Sequence, residues 1–217
     1  GGSATSGSTA GGGWSGTAAF QVNVGLNTTV LGSGWGAGTW GRFTWGSAAG
    51  SLSGQTLRLF SVDNFGEDLL FNISDGTVFY WDATNGTSTR AVRLDSLTGA
   101  SDVPTVVRKL LVSDVDRHII FFGTNPVGSG ILDPLLIRFG SQESLTDFTP
   151  TATNTAGDLR LSKGSEIITA VQTSRQILVY TDQSLYSMQF LGAPFTFGIS
   201  LLGDNIRIAG PNTAIAV

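Results

Sequence analysis

The chain has 217 residues, of which 41% are hydrophobic and only 13% are charged, and its formal net charge is −4. The lack of a basic block argues against tight phosphate binding, and the lack of cysteine excludes disulfides and thiolate metal sites. No run of about 18 apolar residues is present, so no membrane-spanning segment is expected. The low charge indicates that partner subunits cover much of the surface. The sequence begins without Met and ends in mid-pattern, which predicts a part of a longer polypeptide.

Residues 1–50 are predicted to be a Gly-, Ser- and Trp-rich linker that includes an edge strand. The opening GGSATSGSTAGGG has too few apolar side chains to offset the entropy lost on ordering. Phe20–Leu26 alternates apolar and polar residues, which is typical of a strand with one buried face.

Trp35, Trp40 and Trp45 are spaced five residues apart among glycines, in GWGAGTWGRFTWG. One hypothesis is an aromatic platform that stacks on a glycan or on nucleic acid bases. The favoured hypothesis is that the indoles fill the gaps left by glycines or contact a neighbouring subunit, because Arg42 is the only charged residue nearby. The three tryptophans are therefore interface candidates.

Residues 51–217 are predicted to form a partial β-propeller-like domain of about three antiparallel, four-stranded blades. The clearest unit is VVRKLLVSDVDRHIIFF at 106–122, where two β-branched apolar runs flank an Asp- and Ser-rich turn. Similar units recur about 50 to 60 residues apart, close to the period of propeller blades. The strands predicted for the first blade are Thr56–Val62, Asp68–Ile73, Thr77–Asp82 and Arg90–Leu94.

The second and third blades follow the same pattern. The strands predicted for the second are Val106–Val112, His118–Gly123, Leu135–Phe139 and Leu159–Leu161. Those predicted for the third are Glu166–Gln172, Gln176–Thr181, Ser184–Phe190 and Phe195–Leu202. No segment combines helical periodicity with caps, so the predicted fold class is all-β.

Two further expectations concern packing. The alternation within the hairpins predicts that the blade cores contain Ile119, Phe121, Ile168, Ala170, Leu178 and Tyr180. The segment Ser141–Gly157 is long for a hairpin loop and has few charges, so it is predicted to contact a neighbouring blade or subunit. Its Phe148 and Pro150 are further interface candidates.

The sequence contains no arrangement that predicts catalysis. His118 is the only histidine and lies within a predicted strand, so a hydrogen-bonded structural role is expected rather than a Ser-His-Asp mechanism. No phosphate-binding loop motif occurs. Carboxylates cluster in two turns, Asp63/Glu67/Asp68 and Asp114/Asp116, where calcium binding is the minor alternative to ordinary turn chemistry. No catalytic, cofactor-binding or metal-binding residue is assigned, and the chain is not expected to be an enzyme.

Residues 34–212 resemble structural proteins of tailed bacteriophages, namely tail or virion-stabilisation components and the nozzle that continues the neck of short-tailed phages. The resemblance rests on the order of GWGAGTWGRFTWG, SVDNFGEDLLFN, VFYWD, VSDVDRHIIFFGTNP, DPLLIRFGSQES and ILVYTDQSLYSMQFLGAPFTFG. It implies a β-propeller-like body, a homo-oligomeric ring contacting other tail or neck proteins, and no enzymatic activity. It also implies assembly in the host cytoplasm, a place in the virion tail, and passage of genomic DNA without specific binding during ejection. Three blades are fewer than the four to eight of a closed propeller.

Two other classes remain open. One is a carbohydrate- or receptor-binding tail module that uses the tryptophan cluster. The other is a glycosidase or depolymerase acting on host surface polysaccharide through a carboxylate pair.

Overall fold

The computed structural model describes residues 59–192 and 195–216, which lie in the second of the two units of the chain, Arg58–Val217. These residues form three antiparallel four-stranded sheets, and within each sheet the strands follow one another in sequence order. Two three-residue 3-10 turns, Ala83–Asn85 and Leu94–Ser96, are the helical elements of the described part. The predicted all-β class and the four-stranded antiparallel sheets are confirmed. The described residues close neither a barrel nor a propeller.

Sheet 1 is the first of the three along the chain. Its strands are β1 (Phe60–Phe65), β2 (Asp68–Ile73), β3 (Val78–Trp81) and β4 (Val92–Arg93). The turn between β1 and β2 begins at Gly66, whose φ of 72° suits the first position of a tight hairpin turn. The sequence predicts that the first strand ends at Val62, but β1 continues through Asp63 to Phe65. A carboxylate is tolerated there because Asp63 Oδ2 accepts a hydrogen bond from the backbone N–H of Val112, at 2.8 Å.

Sheet 2 lies between the other two sheets. Its strands are β5 (Val107–Val112), β6 (Ile119–Thr124), β7 (Asp133–Phe139) and β8 (Gly157–Arg160). Strand β6 pairs with β5 on one edge and β7 on the other, and all six of its residues are buried. Ile119 and Phe121 pack in the core shared with sheet 1, whereas Ile120 and Phe122 pack in the core shared with sheet 3. The continuous apolar run of β6 is therefore explained by burial of both faces.

Sheet 3 is the third meander of the chain. Its strands are β9 (Ile167–Gln172), β10 (Ile177–Thr181), β11 (Ser184–Phe190) and β12 (Phe197–Asp204). Each of these strands begins and ends within two residues of its predicted bounds. Strands β5 and β6 both contact β9, and β5 also contacts β1 and β2, so the first strand of each sheet lies on the same side of the stack.

The predicted core is correct for Ile119, Phe121 and Ala170 but wrong for Ile168, Leu178 and Tyr180, which are only half-buried. In sheet 3 the buried side chains are instead Ile167, Ile177 and Val179. The pairing passes from Tyr180 opposite Thr169 to Thr181 opposite Ile167, so Ile168 is an extra residue on its strand. This bulge shifts the alternation of β9 by one residue and accounts for Ile168. Leu178 and Tyr180 lie on β10, whose residues from Ile177 to Tyr180 are all apolar or aromatic, so the sequence pattern does not distinguish its two faces.

Candidate functional site

Arg108 on β5 connects all three sheets. Its Nε donates a hydrogen bond to Oδ1 of Asp75 in sheet 1 at 3.0 Å, and its Nη1 donates to Oε2 of Glu166, just before β9, at 2.5 Å. The Arg108 side chain is only 18% exposed, whereas both carboxylates are close to half exposed. This three-sheet clasp fixes the positions of the sheets relative to one another through charged hydrogen bonds.

A cavity of about 200 Å³ lies beside the clasp, between residues of β1, β5 and β9 and the segment containing Pro211 and Asn212. Lys109 forms part of its wall, and its Nζ donates a hydrogen bond to Oγ1 of Thr169 at 3.1 Å. Burial lowers the pKa of Lys109, and the charge of Asp63 partly opposes this effect. The cavity is smaller than the roughly 300 Å³ at which ligand pockets usually begin, which makes it a poor candidate for a substrate site.

Arg138 on β7 is a second buried cation, and it is bound entirely by backbone carbonyls in the described contacts. Its Nη2 donates to the carbonyl oxygens of Asp102 at 2.7 Å and Phe148 at 3.1 Å, and its Nη1 donates to that of Asn125 at 3.3 Å. Burial lowers the pKa of Arg138, and the charges of Asp102 and Asp158 oppose this effect. Since each of its three acceptors lies in a different loop, Arg138 has a structural role as the link between them.

The segment Ser141–Gly157 does contact a neighbouring sheet, as the sequence predicts. Ser101, in the connection between sheets 1 and 2, accepts a hydrogen bond from Phe148 N and donates one to Thr146 O. The ring of Phe148 stacks on Phe121 with 5.1 Å between centroids, inside the core shared by sheets 1 and 2. Phe148 is therefore fully buried within its own chain, and the contact that it makes is with a neighbouring sheet and not with another subunit.

Of the remaining interface candidates, Pro150 is exposed at the surface. Trp35, Trp40 and Trp45 lie outside the described residues. Phe148 and Pro150 are therefore the two of the five candidates whose positions the structure describes, one buried and one exposed.

His118 is a buried structural residue immediately before β6. Its Nε2 lies 3.1 Å from Oγ1 of Thr155, and its ring contacts the rings of Phe190 and Phe197, with centroids 5.6 and 5.2 Å away. Burial lowers the pKa of His118, and the charge and backbone of Asp116 oppose this effect. The predicted hydrogen-bonded histidine is confirmed, since the imidazole is enclosed by aromatic side chains and not open to a substrate.

A cleft of about 280 Å³ opens near His118, between the β5–β6 and β9–β10 turns. Met188, Phe190 and Phe197 give it an apolar floor, and polar side chains including Gln172 and Gln189 form its walls. Its volume lies just below the usual range of ligand pockets. Asp116 and Arg175 also line the cleft, so it offers a small polar molecule apolar contacts, amide groups and one charge of each sign. Sequence reasoning missed it because it joins turns more than 50 residues apart.

In the first acidic turn, the carboxylates of Asp63 and Asp68 accept hydrogen bonds within the fold. Asp68 accepts from the hydroxyl of Tyr80 at 2.7 Å and from the backbone N–H of Ala83 at 3.0 Å. Burial, together with the bond to Asp68, raises the pKa of Tyr80. Over residues 59–192 and 195–216, His, Asp and Glu side chains form no group of three or more that could hold a metal ion. No helix in this part of the chain has the length and apolar character needed to cross a bilayer.

Sheet 1 leaves an apolar face on the side away from sheet 2. The outward face of sheet 1 consists of Phe60, Val62, Leu69, Phe71, Phe79 and Trp81, placed together by the strand register. On the outward face of sheet 3 the register places Ser187, Gln189 and Ser200 beside the half-buried Val171, Leu178, Tyr180 and Leu185, so this face is mixed in polarity. The core clusters lie on the opposite faces of both sheets. Exposed apolar faces of this kind mark interaction surfaces.

Comparison with known proteins gives no family for this chain. No protein-family model matches the sequence, and no curated protein matches it.

Proposed function

We propose that this chain is a structural subunit of a bacteriophage virion, forming part of the tail or neck nozzle through which genomic DNA passes. The observation that carries the proposal is the open three-sheet stack, whose sheet 1 leaves Phe60 and Val62 exposed on its outer face. Three sheets are too few to close a propeller of four to eight blades, so the stack is suited to completion by further sheets. An open stack of this kind is expected of a subunit whose structure is completed only when it assembles with other subunits. The resemblance of residues 34–212 to phage tail proteins supports the same role.

The charge distribution suits a channel component. Every acidic residue of the chain lies at position 63 or later, so the negative charge is concentrated in the part of the chain that forms the sheets. A ring of such subunits repels the phosphate backbone at short range, which lets DNA pass without binding specifically. In this proposal the chain forms a homo-oligomeric ring with other tail or neck proteins as neighbours, after assembly in the host cytoplasm.

The proposal assigns no enzymatic activity and no cofactor. This is consistent with the polar side chains of His118, Arg138 and Asp68, each of which forms hydrogen bonds within the fold.

Quantitative mass spectrometry of purified phage particles that carry this gene tests the proposal. We expect several copies of the chain per particle, and antibodies against residues 59–216 should label the tail or neck. A chain that remains in the soluble lysate and is missing from purified particles would contradict the proposed role.

Tryptophan quenching tests whether the N-terminal indoles form an interface. In assembled particles, acrylamide should quench the fluorescence of Trp35, Trp40 and Trp45 less than in the free chain. A variant with these three residues changed to Phe reports the two remaining indoles, Trp14 and Trp81, and supplies the background. Equal quenching in both states would favour a ligand-binding role for the cluster.

A second candidate function is carbohydrate or receptor binding by a tail module. The cleft beside Phe190, with its apolar floor and amide walls, favours this alternative. Binding on a glycan array that is lost in Gln189→Ala or in Trp40→Ala would support it. Hydrolysis of the bound polysaccharide, abolished by one carboxylate substitution, would instead indicate a depolymerase.

A further inference from the structure

We propose that Lys109 is a nucleophilic amine that binds a small neutral aldehyde covalently, as an imine, in the cavity beside the three-sheet clasp. The cavity has a volume of about 200 Å³, and Lys109 forms part of its wall. One aldehyde binds per chain, and no turnover is involved. This role is additional to the proposed structural one and does not depend on it.

The surroundings of Lys109 favour the neutral amine over the ammonium ion. The side chain is half-buried, and its Nζ donates a hydrogen bond to a neutral group, the hydroxyl of Thr169, at 3.1 Å. Among residues 59–192 and 195–216, no carboxylate forms an ion pair with this nitrogen. A buried charge without a partner of opposite sign is costly, and lysines desolvated in this way are the ones that act as nucleophiles.

Charged side chains from all three sheets lie near Lys109. Arg108, its neighbour on β5, is paired with Asp75 and Glu166, which offset the positive charge of the guanidinium. Asp63 of sheet 1 favours the ammonium ion, but burial has the larger effect, and the pKa of Lys109 is lowered as a result. The electrostatic surroundings therefore agree with the contacts of the amine.

The walls of the cavity suit a short, neutral carbonyl compound. Apolar surface is supplied by Ile167, Ile168 and Pro211. The hydroxyls of Ser61 and Ser74 also line the cavity and form no hydrogen bond among the described residues, so they can bind a ligand oxygen. The carboxylate of Glu166 lines the same cavity and disfavours an anionic keto acid. Because the cavity is smaller than usual ligand pockets, only a small compound fits, and a covalent bond replaces the missing contacts.

The reaction requires only the amine and the aldehyde. The lone pair of Lys109 Nζ attacks the carbonyl carbon, and a proton passes from the nitrogen to the carbonyl oxygen, which gives a carbinolamine. The hydroxyl group then leaves with the remaining N–H proton as water, and the C=N bond forms. No electrons are gained or lost overall, and hydrolysis reverses the reaction.

Lys163 is a matched control, because Lys109 and Lys163 are the two lysines of the chain. Lys163 is half exposed, and its bond to Asp204 raises its pKa. The full-length chain is treated at neutral pH with propanal and sodium cyanoborohydride, which reduces the imine to a stable secondary amine. Peptide mass spectrometry then gives the labelling rate of each lysine.

We expect Lys109 to be labelled about tenfold faster than Lys163 in the folded chain, because one unit of pKa changes the neutral fraction about tenfold. In guanidinium chloride the two rates should become equal, since the difference depends on the fold. Asp63→Asn keeps an oxygen for the backbone N–H of Val112 but removes the charge that favours the ammonium ion. This variant should label faster at Lys109 and unchanged at Lys163, and circular dichroism reports whether it is folded.

The size of the cavity is tested with 2-naphthaldehyde, which is too large to enter. This aldehyde should label Lys163 in preference to Lys109, the reverse of the result with propanal.

Two results would overturn the inference. Labelling of Lys109 by propanal that is no faster than that of Lys163 would show that the amine is protonated or inaccessible in the folded chain. Labelling of Lys109 by both aldehydes at the same rate would show that the cavity does not select its ligand. The proposed virion role fails separately, when the chain is missing from purified particles.

Discussion

The Nη1 atom of Arg108 lies 2.5 Å from Oε2 of Glu166, across the boundary between sheets 2 and 3. The same guanidinium binds Asp75 of sheet 1, so the side chain spans three sheets. We expect Arg108→Met to lower the free energy of unfolding in urea by about 1 to 2 kcal/mol. The loss is modest because both carboxylates are partly exposed and regain water. Arg108→Lys should recover only part of it, since an ammonium group lacks the planar fork that holds two carboxylates at once.

The control for this prediction is Arg160→Met. Arg160 is 60% exposed and pairs with Asp133 within sheet 2 alone. An exposed pair of this kind contributes little to stability, so Arg160→Met should lower the free energy of unfolding less than Arg108→Met does. Equal losses for Arg108→Met and Arg160→Met would show that spanning three sheets adds no stability.

Truncation of Phe148 should be much more damaging than its position in a long connecting segment suggests. We expect Phe148→Ala to lower the free energy of unfolding by about 3 to 5 kcal/mol, because a fully buried ring stacked on Phe121 is replaced by a cavity. Pro150→Ala, two residues away and exposed, should change it by less than about 0.5 kcal/mol. Chemical denaturation of the two variants in parallel measures the difference. Similar values would mean that the segment is dispensable for folding.

His118 should make stability depend on pH. Burial lowers the pKa of the folded imidazole below the ordinary value of 6.5, so the unfolded chain binds the proton more readily. The contribution of the neutral ring is complete above pH 6.5 and is lost as the pH falls from there through the lowered pKa of the folded state. The free energy of unfolding of the unsubstituted chain should therefore fall more than that of His118→Gln between about pH 7.5 and about pH 5. Parallel curves for the two proteins would contradict this.

Arg138 should tolerate no shorter or neutral replacement. Its three hydrogen bonds satisfy backbone carbonyls in three loops, and leaving buried acceptors unpaired costs about 1 to 3 kcal/mol each. We expect Arg138→Met to unfold at a midpoint well below that of the parent chain. Arg138→Lys should be intermediate, since one ammonium can reach some of the acceptors. A neutral effect of Arg138→Met would mean that water replaces the guanidinium at no cost.

The strand order and most strand bounds follow from the sequence because each hairpin is local. Asp75 and Gly76 mark the β2–β3 turn, and the Asp-rich run before His118 marks the β5–β6 turn. Asp and Gly favour turns through local backbone effects, so a few neighbouring residues are enough to predict them. The choice of face in sheet 3 does not follow. In β9 it depends on the bulge at Ile168, and a one-residue shift leaves the composition of the strand unchanged. In β10, Ile177, Leu178 and Val179 are all apolar, so composition does not distinguish the two faces.

The contacts between sheets are equally hidden from the sequence. Phe148 lies in a polar segment typical of a surface loop, and its burial depends on Ser101, 47 positions earlier in the chain. Asp63 resembles a turn residue, but its carboxylate binds a backbone N–H of the next sheet. Neither pairing has a local signal, because each is set by how two separate hairpins stack.

The central position of β6 affects the order in which the three sheets unfold. Its amide groups are held on both edges and its side chains are covered on both faces, whereas β1 and β12 each carry exposed apolar residues. Amide hydrogens of β6 should therefore exchange with solvent only through global unfolding, while those of β12 exchange through small local openings. Since each sheet touches only its neighbour through a large core, loss of a terminal sheet can leave the remaining pair intact. Unfolding would then proceed from the ends inward, as it does in repeat proteins.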